Sequence, residues 1–356
     1  MKILITGICG FVGSTIAREL LAHADFGSLQ IIGVDNFSRP GSNLNRTPLQ
    51  KLGIDVCHGD IRLASDLELL GQADWVIDAA ANPAVLAGVD GRASSRQLIE
   101  HNLMGTLNLL EFCKGHKTGL ILLSTSRVYC IKKLLEVSME VVNNAYQPAK
   151  QTTWPKGLSE KGLNEKFSTA APISLYGATK LASEQLALEY GSAFDFPVWI
   201  SRCGVLAGAG QFGRGDQGIF SYWIHSWLQR RPLKYIGFGG EGHQVRDCLH
   251  PRDLVPLLQK QMNATRPEED PIICLGGGQR NSISLAMLSA WCEERFGKHK
   301  IMKDQAKRPF DVPWLVMDTA RASANWNWKV QTPLAEVLEE IATHAEKNPD
   351  WLDVSA

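Results

Sequence analysis

Three sets of residues in this chain have types and spacings that can do chemistry. The stretch "TGICGFVGST" (6–15) sets Gly7, Gly10 and Gly13 at GxxGxxG spacing, between a strand-like run and a helix-like one. Glycines permit a tight turn and a close backbone approach to a pyrophosphate, and the helix that follows offers amide hydrogens and partial positive charge. About 20 residues further on, Asp35 closes the next strand-like run, the position from which an acid meets an adenosine ribose diol. Its carboxylate would repel a 2′-phosphate, which favours NAD over NADP; Arg39, four residues on, argues the other way. The second set is "ILLSTSRVY" (121–129), whose Ser124, Thr125 and Ser126 close an apolar run. On the carboxyl-end rim of a sheet, hydroxyls there can hydrogen-bond a substrate oxygen. The third is "SLYGATKLASEQ" (174–185), with Tyr176 and Lys180 four apart and so on one helical face. A lone YxxxK is most often a half-buried tyrosine beside a solvated lysine, so the surrounding elements must decide.

Those elements alternate. Strand patterns fall at 2–7, 29–36, 55–60, 74–80, 119–126 and 198–205, with amphipathic helical patterns near 13–24, 63–71, 94–114 and 175–193. Strands separated by helices predict βαβ units and a doubly wound parallel sheet. The strands are apolar throughout, as in a sheet covered on both faces. Residues 131–172, polar and carrying Pro148, Pro155 and Pro172, break this rhythm as a long excursion of the kind that forms lids or stays disordered. After 206 come a glycine-rich stretch, short elements and several tryptophans. The expected organisation is a dinucleotide-binding domain at 1–205, with a return segment near 235–258, and a smaller substrate-binding lobe from 206–234 and 259–350. The third strand ends in "HGDI" (58–61); Asp60 there either meets an adenine edge or caps the next helix.

Composition narrows the partners. Among 356 residues, Lys+Arg and Asp+Glu both total 37, so no net positive charge points to nucleic acid or an anionic membrane. The eight cysteines have no CxxC spacing, and several sit in apolar runs, as free thiols of a reducing compartment do. No signal-peptide pattern follows Met1, and no apolar run approaches the roughly 20 residues a transmembrane helix needs. The expectation is a cytoplasmic protein. Histidines 243, 250 and 299 lack metal-ligand spacing, and no metal is assigned.

In order and interval, "TGICGFVGS", Asp35, "GDI", "STSRVY" and "YGATK" resemble the extended short-chain dehydrogenase/reductase superfamily of nucleotide-sugar epimerases and dehydratases. The resemblance covers essentially the whole chain and implies a Rossmann fold with a C-terminal substrate lobe. Within that superfamily, "DNFSRPG" (35–41), "STSRVY" (124–129), "GDQG" (215–218) and "GEGHQVRDCLHPRDL" (240–254) are most similar to the CDP-paratose 2-epimerase (CDP-tyvelose epimerase) group. The resemblance implies that Tyr176 is the acid/base, that Lys180 binds the nicotinamide ribose and lowers the tyrosine pKa, and that Thr125 aids deprotonation of the substrate. Physical estimates agree: a charge about 4 Å away at an effective dielectric of about 20 contributes roughly 4 kcal/mol, or some three pKa units. It further implies NAD contacts from Gly7, Gly10, Phe11, Val12, Gly13, Asp35, Asn36, Ser38, Arg39, Asp60, Ile61, Ala79, Ala80, Ala81 and Asn102. Substrate contacts are implied for Ser126, Arg127, Asp216, Gln217, Gln244, Arg246, Arg308 and Asp311. The implied activity is NAD-dependent C2 epimerisation of a CDP-linked deoxyhexose through a transient keto sugar, by a homodimer or larger homo-oligomer; the alternatives are a nucleotide-sugar 4-epimerase, a nucleotide-sugar dehydratase or reductase, and a non-catalytic NAD-sensing module.

Departures from the family pattern bear on substrate placement. Many relatives carry an Asp-Glu pair where this chain has Ser126-Arg127, and dehydratases use that pair to eliminate water. Asp78 replaces a histidine, Cys130 replaces the glycine of "VYG", and "RCGVLAG" (202–208) replaces a common "RxxNVYG".

Overall fold

A computed structural model describes residues 1–23, 29–89, 91, 94–150, 154–215, 217–264 and 270–355. Lys2–Thr6 pairs in parallel with Gln30–Asp35 on one side and Trp75–Asp78 on the other. Asp55–His58 adds in parallel outside Gln30–Asp35, and Gly119–Thr125 outside Trp75–Asp78. Val198–Cys203 and Ile272–Leu275 complete a seven-stranded sheet. Strand order reverses at Lys2–Thr6, with later strands on one flank and the next two on the other, which is the doubly wound arrangement whose switch point binds ligands. Leu4, Val34, Val76, Leu122 and Ile200 from the strands pack with Leu109, Leu110, Phe112 and Ala187 from the helices.

By contacts the chain divides into two units. The first comprises Met1–Thr125, Leu175–Arg202 and Pro251–Ile273; the second comprises Ser126–Ser174, Cys203–His250 and Cys274–Ala356. This differs from the expected boundary at 205 with a return near 235–258. The returning piece starts later and carries the Val255–Asn263 helix and the start of the seventh strand, Ile272–Leu275, which is too short to separate from a buried helical segment by pattern. The 126–174 segment joins the second unit because its backbone is bound there: Leu163 N–H donates to the Val316 carbonyl, Tyr146 N–H to that of His243, and the Ser284 hydroxyl to that of Asn144.

Residues 131–150 and 154–172 of the excursion have defined structure. They form two antiparallel hairpins, Met139–Val142 with Ala145–Pro148 and Leu158–Ser159 with Gly162–Leu163. In the rest of the second unit, Val245–Leu249 pairs with Val205–Leu206, Ser282–Ser284 and Trp314–Leu315. Trp223 and Trp227 anchor its core with Leu233, Ile341 and Ala342. The helical pattern at 94–114 is three pieces: Ser95–Ile99, a π-helical turn at Glu100–Met104, and Gly105–His116. All eight cysteines are free, and seven are buried. Among the described residues no helix is long and apolar enough to cross a membrane.

Candidate active site

The chain turns at Gly7, whose φ is +61°. A Cβ at Gly7 would lie 2.9 Å from the Ala80 Cα, and one at Gly13 would lie 2.4 Å from the Gly7 carbonyl oxygen, so neither position accepts a side chain. Gly10 opens the Phe11–Ala22 helix without a side-chain cap, and the first turn holds no acid. The first-turn amides therefore lack intrahelical acceptors and carry the positive end of the helix dipole. Phe11 is buried and Val12 half-buried behind them.

Asp35 ends its strand with both carboxylate oxygens engaged: Cys9 N–H donates to Oδ2 (2.9 Å) and Phe37 N–H to Oδ1 (2.8 Å). Burial pushes its pKa up, against these backbone hydrogen bonds, which pull it down. Gly10 N–H also bears on this carboxylate, which has about four acceptor positions, so one remains for a ribose hydroxyl. Beyond it, the Asn36 side chain donates to Asp60 Oδ2 (3.0 Å) and accepts from Ser38 N–H (3.0 Å); Ser38 is exposed and Arg39 half-buried. Asp60 is gripped by Arg62, whose Nη2 lies 2.6 Å from Oδ2. Burial raises the Asp60 pKa, but hydrogen bonds from Arg62 and Asn36 outweigh it and carry the carboxyl below its usual range. Asp60 does not cap the next helix; that N-cap is Leu63. Ile61 packs against Gly105, and its carbonyl accepts from Asn108.

After the fourth strand, Ala79 and Ala80 are half-buried and Ala81 is exposed. Ala80 N–H donates to the Thr6 hydroxyl, which donates to Asp78 Oδ1 (2.7 Å), so Asp78 fastens two strand ends beneath the glycine loop. Asn102 sits in the π turn and spends its amide internally: Oδ1 accepts from Asn82 N–H, while Nδ2 donates to the Asn82 carbonyl and the Thr179 hydroxyl. Its own carbonyl, released from regular helix pairing, accepts from the Thr106 and Ser183 hydroxyls. Asn102 thus joins the 79–82 loop to the Ser174–Phe194 helix.

That helix buries Tyr176 (7% exposed), Lys180 (2%) and Glu184 (0%) along one stripe at i, i+4 and i+8. The Tyr176 ring packs with Ala87 and Leu98. Among the described residues the Lys180 ammonium has no hydrogen-bond or ion-pair partner. Glu184, by contrast, is saturated. It accepts the Ser124 hydroxyl at Oε1 (2.5 Å), and Arg202 grips both its oxygens, Nη2 to Oε2 at 2.6 Å and Nε to each at 3.1 Å. Ser124 immediately precedes Thr125, which ends the fifth strand and is half-buried.

The expected substrate residues lie in the second unit, where several converge. Arg246 Nη2 donates to Asp311 Oδ1 (2.6 Å) and Nη1 to the Val245 carbonyl (2.7 Å); the Gln244 amide donates to Asp311 Oδ2 (3.3 Å). Burial lowers the Arg246 pKa, Asp311 raises it, and the like charge of Arg308 lowers it again. Arg308 donates to the Gly215 carbonyl (3.3 Å), drawing in the turn where Arg214 and Gln217 exchange backbone hydrogen bonds. Arg127 donates to the Phe310 carbonyl (3.2 Å), and Ser126 is buried beside it. Asp216 lies outside the described residues.

The first unit therefore has the parts a dinucleotide needs: a cradle closed to side chains, first-turn amides at a helix start, a strand-end carboxylate, and a lysine, 2% exposed, whose ammonium has no partner among the described residues. Pattern reading passed over Glu184 and Arg202. Glu184 was detectable as the next i+4 step after Tyr176 and Lys180; Arg202 keeps the arginine of the "RxxNVYG" pattern in "RCGVLAG" (202–208), but its pairing with Glu184, 18 residues away, had no sequence signal.

The sequence model of the NAD dependent epimerase/dehydratase family matches residues 3–274. The CDP-paratose 2-epimerase of Salmonella typhi is 29% identical, over 96% of this chain and 98% of that protein. The UDP-glucuronate 4-epimerase of Thermodesulfobacterium geofontis is 27% identical, over 97% of this chain and 96% of that protein. Among solved structures, UDP-glucuronic acid 4-epimerase from Bacillus cereus, in complex with UDP-glucuronic acid and NAD, superposes with a TM-score of 0.78 at 25% identity, covering 98% and 99% of the two chains.

Proposed function

Because the chain belongs to the NAD-dependent epimerase/dehydratase family, we propose that it is a nucleotide-sugar 2-epimerase acting on a CDP-linked deoxyhexose. The observation that carries an epimerase reading is the buried Tyr176–Lys180 stripe, with an ammonium left unpaired among the described residues. Gly7, Gly10, Gly13 and the first amides of the Phe11–Ala22 helix would hold the pyrophosphate of NAD, Asp35 the adenosine ribose, and Lys180 the nicotinamide ribose. NAD, when bound, supplies the hydride acceptor and donor.

Tyr176 accepts the proton of the sugar hydroxyl as that carbon becomes a ketone, and returns it after the ketone has turned in the pocket. A free phenol with a pKa near 10 is only about 0.1% ionised at pH 7, so Lys180 is needed to bring it into working range. Thr125 hydrogen-bonds the same oxygen and steadies it between the two states. Ser126-Arg127, in place of an acidic pair, offers no acid and base for expelling water.

The choice of C2 and of a cytidine nucleotide is supported by the 29% identity to the 2-epimerase over nearly both whole chains. A 4-epimerase reading has its own support in the relative at 27% and the Bacillus cereus structure. Substrate labels separate them. CDP-paratose or CDP-tyvelose deuterated at C2 should show a primary isotope effect, and the C4-deuterated isotopomer none. An effect at C4 alone, or turnover of UDP-glucuronate instead, replaces the 2-epimerase by a 4-epimerase.

A further inference from the structure

Two buried charges of opposite sign lie one turn apart on the Ser174–Phe194 helix, yet they do not pair. Lys180 and Glu184 stand at i and i+4, the spacing at which a lysine and a glutamate readily form an ion pair on a helix. In a buried setting that pairing would be strong, because little water screens it. Glu184 is instead held off by Arg202 from the neighbouring sixth strand of the sheet, through three contacts of 2.6–3.1 Å, and by the Ser124 hydroxyl at 2.5 Å. Arg202 is 4% exposed and Glu184 0%, so this pair is desolvated and geometrically constrained. The other buried carboxylate facing the helix, Asp78, is linked to it through the hydroxyls of Thr106 and Ser183.

We infer that Arg202 is a positioning residue that occupies Glu184 and thereby keeps the Lys180 ammonium available to Tyr176. The same carboxylate fastens the helix to two strands, one of them through Ser124, the residue before Thr125. One ion pair thus sets the height of the helix against the strand end and assigns the cations. A planar guanidinium suits this task, since it binds both carboxylate oxygens at once.

The inference rests on the reading of Tyr176 as the proton-handling phenol, and its test does not need the sugar substrate. The NAD-loaded protein, labelled with ¹³C at tyrosine Cζ, is titrated by NMR; the chain has six tyrosines, and the Tyr176→Phe variant assigns the signal. In Arg202→Met the freed Glu184 draws Lys180 toward itself, and the Tyr176 midpoint rises by about one pH unit or more. In Glu184→Gln the unpaired Arg202 adds positive charge, and the midpoint moves down. The double variant Glu184→Gln/Arg202→Met, with neither charge, returns toward the wild-type value. A pair with only a scaffolding role predicts lower stability with an unmoved midpoint, and that result overturns the inference, as does a shift of the same sign in both single variants. Should Arg202→Met fail to fold, the near-isosteric Glu184→Gln decides alone: a downward shift supports the inference and an unchanged midpoint ends it. A wild-type midpoint at the ordinary phenol value near 10 would instead count against Tyr176 as the acid/base, a separate outcome from the direction of the shifts.

Discussion

Tyr176 is the residue on which the proposed chemistry turns. Tyr176→Phe keeps the ring that packs with Ala87 and Leu98, so the fold and NAD content should be retained while turnover falls by about 10²–10⁴-fold, the usual loss on removing an acid/base. Near-normal turnover, measured against NAD content in the same preparation, removes the tyrosine from the mechanism. A second residue-scale expectation concerns Asp247, next to Arg246 and 1% exposed. Burial raises its pKa to about 6, opposed by backbone N–H donors including Met317 and Gly278. A carboxyl that is easier to protonate when folded than when unfolded stabilises the fold fully below pH about 4, and that contribution is lost as pH rises through about 6. The difference is on the order of 3 kcal/mol. Thermal unfolding of wild type and Asp247→Asn between pH 4.5 and 7.5 should therefore diverge, with wild type losing ground as pH rises. Parallel curves would refute the shift.

At the scale of elements, the strand–glycine turn–helix at 2–22 and the Ser174–Phe194 helix do the positioning. Gly13 tests the first. Its replacement by alanine forces a Cβ to within 2.4 Å of the Gly7 carbonyl, a clash with backbone that no rotamer relieves. Gly13→Ala should be purified with little NAD or with lowered thermal stability; full NAD content and an unchanged melting temperature would show that the loop gives way. These elements were legible because their signals are local: glycine spacing, apolar runs, i+4 periodicity. The π turn at Glu100–Met104 was not, since one extra residue in a helix hardly alters periodicity over a 20-residue window. Asn102 is correspondingly a tie between loop and helix, a role that pattern reading could not assign.

At the scale of the whole molecule, the second unit gathers Gln244, Arg246, Arg308 and Asp311 from segments up to 67 residues apart. Asp311 holds Arg246, so this arginine, which we propose holds the diphosphate of the nucleotide sugar, is already oriented. Arg246→Ala is expected to raise KM and also lower kcat, because misplacing a reacting carbon by about 1 Å costs roughly 10²-fold. NAD content should be unchanged; a KM effect alone would make Arg246 a binding residue without an orienting role. Assembly is a further proposal. Ile99 and Met104 are 40% and 42% exposed on the segment before the Gly105–His116 helix, and Leu103, Leu107, Leu181 and Leu188 are only partly covered. Pairing of the two helices with those of a second copy would cover this apolar surface. Sedimentation at micromolar concentration should give a dimer or larger, and a monomer alone would exclude the pairing.

By itself the sequence determined the βαβ order, the glycine loop with Asp35, and the i+4 relation of Tyr176 to Lys180. All of these depend on residues close in the chain, where backbone geometry alone dictates neighbourhood. Tertiary structure alone decided that 126–174 belongs to the second unit and that Arg246 is paired with Asp311. It also decided that Glu184 is matched to Arg202 while the lysine one turn before it is left without a partner among the described residues. A linear sequence places a glutamate equally within reach of several cations. Which one it binds depends on the register of a helix against two strands, and that register is set only when the sheet and its covering helices pack.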